Sequence, residues 1–101
     1  MKLFDVKLLT VTCEILAQDK ILEILEKHGI AGYTLYEVEG NGSKGIRGQG
    51  LKNEKNIKIE IISTETKLKD IIEEITRLLF SDFAVIVYLS DIQVLRPEKF
   101  I

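Results

Sequence analysis

Apolar and polar positions recur with two different periods along this chain. Residues 6–14 are rich in Val, Leu and Thr and read as a strand. Residues 18–28 place Ile21, Leu22, Ile24 and Leu25 at helical spacing, with acids and lysines opposite; Asp19 can cap this helix and Gly29 can end it. A second strand is predicted over 33–39. Residues 56–63 alternate strictly, with Ile57, Ile59 and Ile61 on one face and Lys58 and Glu60 on the other. The spacing of Leu68, Ile71, Ile72, Ile75, Leu78 and Leu79 predicts a second amphipathic helix over 66–80. A fourth strand is expected over 83–89 and a short fifth over 92–95.

The order is β-α-β-β-α-β plus a small C-terminal strand. It implies an α+β, ferredoxin-like antiparallel sheet with both helices on one face. In Leu8-Leu9-Thr10-Val11 and in Val85-Ile86-Val87-Tyr88-Leu89 successive residues are apolar, the pattern of strands buried on both faces. Two helices cover one face only, and no residues remain to cover the other. Further copies of the chain are the economical cover, so an oligomer is expected.

Residues 39–53 break both periods. Five of the chain's seven glycines lie there, with Lys44, Arg47 and Lys52 among them. Such a segment cannot pack a core, but its backbone can curl and aim N–H groups at one point while its cations close on an anion. It joins two strands, where a hairpin needs only about two to five residues. Composition narrows the class. The 101 residues make one domain, 1–101, and a net charge of −2 argues against nucleic acid as the main partner. No apolar run approaches a membrane span, and Met1-Lys2-Leu3-Phe4-Asp5 does not read as a signal peptide. A single cysteine, Cys13, fits a reducing cytoplasm.

Catalytic or metal chemistry finds little support. His28 reads as a surface residue suited to a helix dipole. Cys13 reads as a small core residue, and no His/Cys cluster has metal-ligand spacing. The acids at Glu23, Glu26, Glu73 and Glu74 read as solvated helix faces. Glu60 reads as a cross-strand partner of a lysine. Arg96, between Val94-Leu95 and Pro97, is either a solvated residue or a second cation for the loop's anion.

Gly32-Tyr33-Thr34-Leu35-Tyr36-Glu37-Val38-Glu39-Gly40-Asn41-Gly42 resembles the Gly-x-Thr-x-x-Glu-Val-x-Gly-x-Gly segment of the PII signal-transduction proteins. Ile57-Lys58-Ile59-Glu60-Ile61 is similar to their third strand and Asp91-Ile92-Gln93-Val94-Leu95-Arg96 to their last. Gly40 to Arg47, and the Val94-Leu95-Arg96-Pro97-Glu98-Lys99-Phe100 ending, resemble the branch associated with bicarbonate transporters and carboxysomes. The resemblance implies a homotrimer that binds an adenine nucleotide between subunits. Its long loop, the T-loop, would report nucleotide state to a membrane transporter or an enzyme, from the cytoplasm and without catalysis. Gly32, Tyr33 and Thr34 would border the adenine, with Glu60, Ile62, Thr64, Ile86, Val87 and Tyr88. Gly40, Asn41, Gly42 and Ser43 would wrap ribose and phosphates, and Lys44, Arg47 and Arg96 would neutralise them. No metal is implied; bicarbonate or another small anion is a candidate co-ligand.

The chain also departs from that pattern. No tyrosine occurs within 41–56, so uridylylation there is not expected. The loop is shorter, and Ser81-Asp82-Phe83 stands where a Gly-rich segment with a phosphate-binding lysine leads the fourth strand. AMP, ADP and cyclic AMP are therefore expected alongside ATP. Two rivals stay open: an acylphosphatase-like enzyme, whose phosphate cradle would follow the first strand, and a structural or metal-tolerance trimer on a similar fold.

Overall fold

A strand that alternates between a covered and an open face needs only one helical layer, and that is the architecture of the computed structural model, which describes residues 1–39 and 55–99. Strand β1 spans Phe4–Glu14 and leads through a 3-10 turn, Ile15–Ala17, into helix α1, Gln18–Lys27. Strands β2, Thr34–Val38, and β3, Asn56–Ser63, follow. Helix α2, Glu65–Leu79, strand β4, Val85–Val94, and a 3-10 turn, Pro97–Lys99, complete the order. The described strands form one antiparallel sheet in the order β2-β3-β1-β4. This is the expected ferredoxin-like arrangement.

Both helices bury their apolar stripes on one face of the sheet. Leu9, Val11 and Cys13 of β1 and Ile57, Ile59 and Ile61 of β3 meet Ile21, Ile24 and Leu25 of α1 and Leu68, Ile71, Ile75 and Leu79 of α2. Because side chains alternate across a strand, the intervening residues occupy the other face. Paired rungs place Leu8 with Ile62, Thr10 with Glu60 and Tyr88, and Thr12 with Lys58 and Ile86 there. Tyr36, Ile86 and Tyr88 are exposed on that face. Within the described chain it is uncovered, as the doubly apolar strands required.

Local signals set the helix ends. Thr64 is extended, and its Oγ1 accepts from the Lys67 N–H at 3.3 Å, capping α2. At the end of α1, Gly29 takes φ +77°, and the Gly29 and Ile30 N–H groups donate to the Glu26 and Leu25 carbonyls. That Schellman closure needs a residue without a Cβ penalty at the left-handed position, which is why glycine ends the helix.

Four expectations are corrected. Asp19 does not cap α1: the N-cap is Ala17, which offers no side-chain bond, and Asp19 lies in the first turn. Residues 92–95 form no separate strand, because β4 runs unbroken to Val94, sustained by pairing with β1 as far as Phe4–Val94. His28 is not a free surface residue: its Nε2 lies 2.8 Å from Glu74 Oε1, and Lys27 Nζ lies 3.1 Å from Glu74 Oε2. Glu74 is correspondingly buried, at 8% exposure, and not solvated.

The His28 and Lys27 hydrogen bonds hold the Glu74 carboxyl below its usual value of 4.5. A depressed carboxylate stabilises the fold above its unfolded value and loses that contribution as pH falls through the folded one. Denaturant midpoints of wild type and Glu74→Gln should therefore differ at pH 7 and converge below about pH 4.5; curves that stay parallel would show that the contact does not stabilise. Burial, reinforced by the Glu14 charge, pushes the Cys13 thiol up to about 12. A thiol reagent at pH 8 should leave native Cys13 unmodified and react once denaturant is added; fast labelling of native protein would contradict its place in the core.

Candidate ligand-binding site

The residues expected to meet a ligand divide by strand. Thr34 opens β2 on a rung with Glu60 of β3, and Glu60 continues through Thr10 of β1 to Tyr88 of β4. Four polar side chains thus form one row across the open face. Thr10 was not anticipated as part of it: on sequence it is one threonine in an apolar strand, and only the register sets it between Glu60 and Tyr88, at 1% exposure. Glu60 has Thr10 and Thr34 as its rung neighbours, where a lysine was expected.

Exposure along the row varies. Tyr33 and Tyr88 are about half exposed, Ile62 is partly buried on the open side, and a Cβ built at Gly32 would meet nothing within 4 Å. Val87 points the other way, packed against the core, so only its backbone is available to a ligand. The Thr64 hydroxyl is engaged in capping α2.

Thr64 also lines a cleft of about 620 Å³ with Asp5, Val6, Lys7, Ser63, Glu65 and Asp91. Lys7 is the cation of this cleft, and it is already bound: its ammonium meets Asp91 and lies 3.4 Å from Glu65. The Asp91 hydrogen bond, then that of Glu65, raises the Lys7 pKa, and Lys7 in turn lowers that of Glu65. A lysine neutralised twice over does not make a phosphate cradle.

Geometry separates the expected contacts within one chain. Gly32, Tyr33 and Thr34 lead into the β2 edge, and Ile86, Val87 and Tyr88 form the opposite edge on β4. Three strand spacings, roughly 14 Å, lie between those edges. The Gly-rich segment opens beyond the Val38–Asn56 rung, at the end of the sheet that holds Glu14 and Val85. Val94, where β4 ends, lies roughly 20 Å along the strand from Tyr88 at about 3.3 Å per residue, and Arg96 follows two residues later. Its guanidinium is exposed and lies 3.7 Å from Glu98. Arg96 and the described stems of the loop, Val38 and Asn56, therefore stand at opposite ends of the sheet. Gly40, Asn41, Gly42, Ser43, Lys44 and Arg47 lie outside the described residues. Among the described residues no group of His, Cys, Asp and Glu is arranged to hold a metal ion.

The sequence matches the family model of nitrogen regulatory protein P-II over residues 6–99. The fold is similar to that of a PII-like signaling protein from Thermus thermophilus, at 33% identity and TM-score 0.81, with 100% of both chains covered. It is also similar to CPII from Thiomonas intermedia bound to ADP and bicarbonate, at 29% identity and TM-score 0.82, covering 98% of this chain and 97% of that one. A second CPII structure, bound to ADP, AMP and acetate, matches at 26% identity and TM-score 0.80, with 99% and 98% covered.

Proposed function

Because the chain belongs to the nitrogen regulatory protein P-II family, we propose that it is a PII-like signalling protein that binds an adenine nucleotide in clefts between the subunits of a homotrimer. One observation supports this reading: Thr34 and the pair Ile86 and Tyr88, expected to meet the ligand, occupy opposite edges of a sheet whose second face is uncovered among the described residues. Packing copies through that face buries Tyr36, Ile86 and Tyr88 and brings the β2 edge and loop of one copy towards the β4 edge and Arg96 of the next. The similarity to CPII, solved with ADP, AMP and bicarbonate, supports an adenine mono- or diphosphate as ligand and a small anion as co-ligand.

Each residue then has a task set by its place. Gly32 leaves the backbone open to an adenine edge, while Tyr33, Thr34 and Tyr88 offer a ring face and hydroxyls. Gly40, Asn41, Gly42 and Ser43 supply backbone N–H groups for phosphate oxygens, and Lys44 and Arg47 supply charge. Arg96 adds a planar cation from the neighbouring copy. In this reading the loop is the surface through which nucleotide binding is passed to a membrane transporter or an enzyme in the cytoplasm.

Calorimetric titration with AMP, ADP, ATP and cyclic AMP, with and without bicarbonate, tests the ligand. Saturating ADP should raise the melting temperature by mass action; no response to any adenine nucleotide at millimolar concentration would defeat the reading. Light scattering should give about three times the 11.5 kDa of one chain, and a clean monomer would remove the clefts altogether. Arg96→Ala should weaken ADP by roughly ten- to a hundredfold, the worth of one charge-assisted contact, and weaken AMP less. Co-refolding Arg96→Ala with Arg47→Ala chains should regain wild-type ADP affinity in a fraction of sites, because a cleft between the two variants is complete. No recovery would place both arginines in the same chain's site.

A further inference from the structure

Among the described strand residues, three charged side chains share the open face with its apolar residues: Glu14 of β1 and Lys58 and Glu60 of β3, at positions that alternate with the core. Glu14 is satisfied within its own chain: it is 7% exposed, and its Oε1 accepts from the Ala84 N–H at 3.0 Å. Lys58 and Glu60 are not. Each is partly buried between uncharged rung neighbours, Lys58 between Tyr36 and Thr12, Glu60 between Thr34 and Thr10. They stand two positions apart on one strand, with Cα atoms roughly 7 Å apart. Among the described residues neither enters an ion pair or a side-chain hydrogen bond.

Water solvates such charges in a lone chain. Packing copies through this face changes their surroundings. Tyr36, Ile86 and Tyr88 are exposed on the same face, and covering them takes Lys58 and Glu60 out of water too. A buried charge without a partner opposes association. The face therefore has to supply its own counter-charges, and after Glu14 is accounted for it carries one of each sign.

We propose that Lys58 of one copy pairs with Glu60 of the next, so that the packed faces enclose a ring of alternating lysines and glutamates. The proposal rests on the trimeric reading above and adds what sets the docking register. Apolar burial supplies area without direction. A charge pair admits only the orientation that brings opposite signs together, since like charges across the interface repel.

The test reads the protein concentration at which light scattering falls from three chains to one. Lys58→Met and Glu60→Gln should each raise that concentration by about tenfold or more, because each leaves a buried charge without its partner. The double variant, with no charge left unpaired, should lie closer to wild type than either single one; effects that simply add overturn the pairing. Mixing the two single variants separates a pair between copies from a pair within one chain. In a mixed trimer some Lys58 of the Glu60→Gln copies again face Glu60 of the Lys58→Met copies, so native mass spectrometry should find mixed trimers above their statistical share. A statistical distribution refutes the cross-copy pair, because a pair within one chain is broken in every copy and mixing restores none. Glu60→Gln that weakens ADP while leaving the dissociation concentration unchanged assigns Glu60 to the ligand and also overturns the proposal. A monomeric wild type defeats the trimeric reading and the ring with it, whereas a trimer indifferent to both substitutions defeats the ring alone.

Discussion

One helical layer has to serve a two-faced sheet, and the rest of the molecule follows from that shortage. The central strands β1 and β3 seal Leu9, Val11, Ile57, Ile59 and Ile61 under α1 and α2 with essentially no exposure. The pleat then commits the alternate residues of the same strands to the other side, where, among the described residues, Ile86 and Tyr88 stand exposed and Leu8 and Ile62 are only partly buried. A monomer would present this surface to water. The assembly proposed above would convert that packing deficit into clefts between copies.

Electrostatics reinforces that division. Charges on the helical side are spent on the fold: Glu74 joins α2 to the end of α1 through His28 and Lys27, and Lys7 ties β1 to β4 and to the start of α2 through Asp91 and Glu65. The cation of the one described cleft beside Thr64 is thereby occupied. Arg96, by contrast, is exposed and has only a loose contact with Glu98 at 3.7 Å.

Periodicity made most of the fold legible. The strict alternation of 56–63 and the helical stripe of 66–80 became β3 and α2 within a residue of their expected bounds, because each buries one clean face. The Gly-x-Thr-x-x-Glu-Val-x-Gly-x-Gly resemblance located the family, and the match to the P-II model bears it out. What stayed illegible was set by pairing at long range. Residues 92–95 read as a separate strand because Ser90 and Asp91 interrupt the apolar run, whereas cross-strand bonds to β1 carry β4 through them. Glu74 looked like one acid of a solvated face; only the approach of α1 and α2 reveals that it lies between His28 and Lys27. Thr10 and Glu14 carry no local signal, since their roles come from the rungs and turns brought beside them.

The strand order also governs how the chain reaches this state. β1 is made first and lies at the centre, yet both of its partners come later: β3 begins beyond the loop, and β4 pairs Val94 back to Phe4 across nearly the whole sequence. Until then β1 is an unpaired, apolar strand in a growing polypeptide, with α1 as its earliest neighbour. Contacts of such separation close slowly because the loop entropy must be met before any rung forms. The β1–β4 arm, which pairs Phe4 with Val94, spans the greatest sequence separation in the sheet, so its closure carries the largest loop-entropy cost.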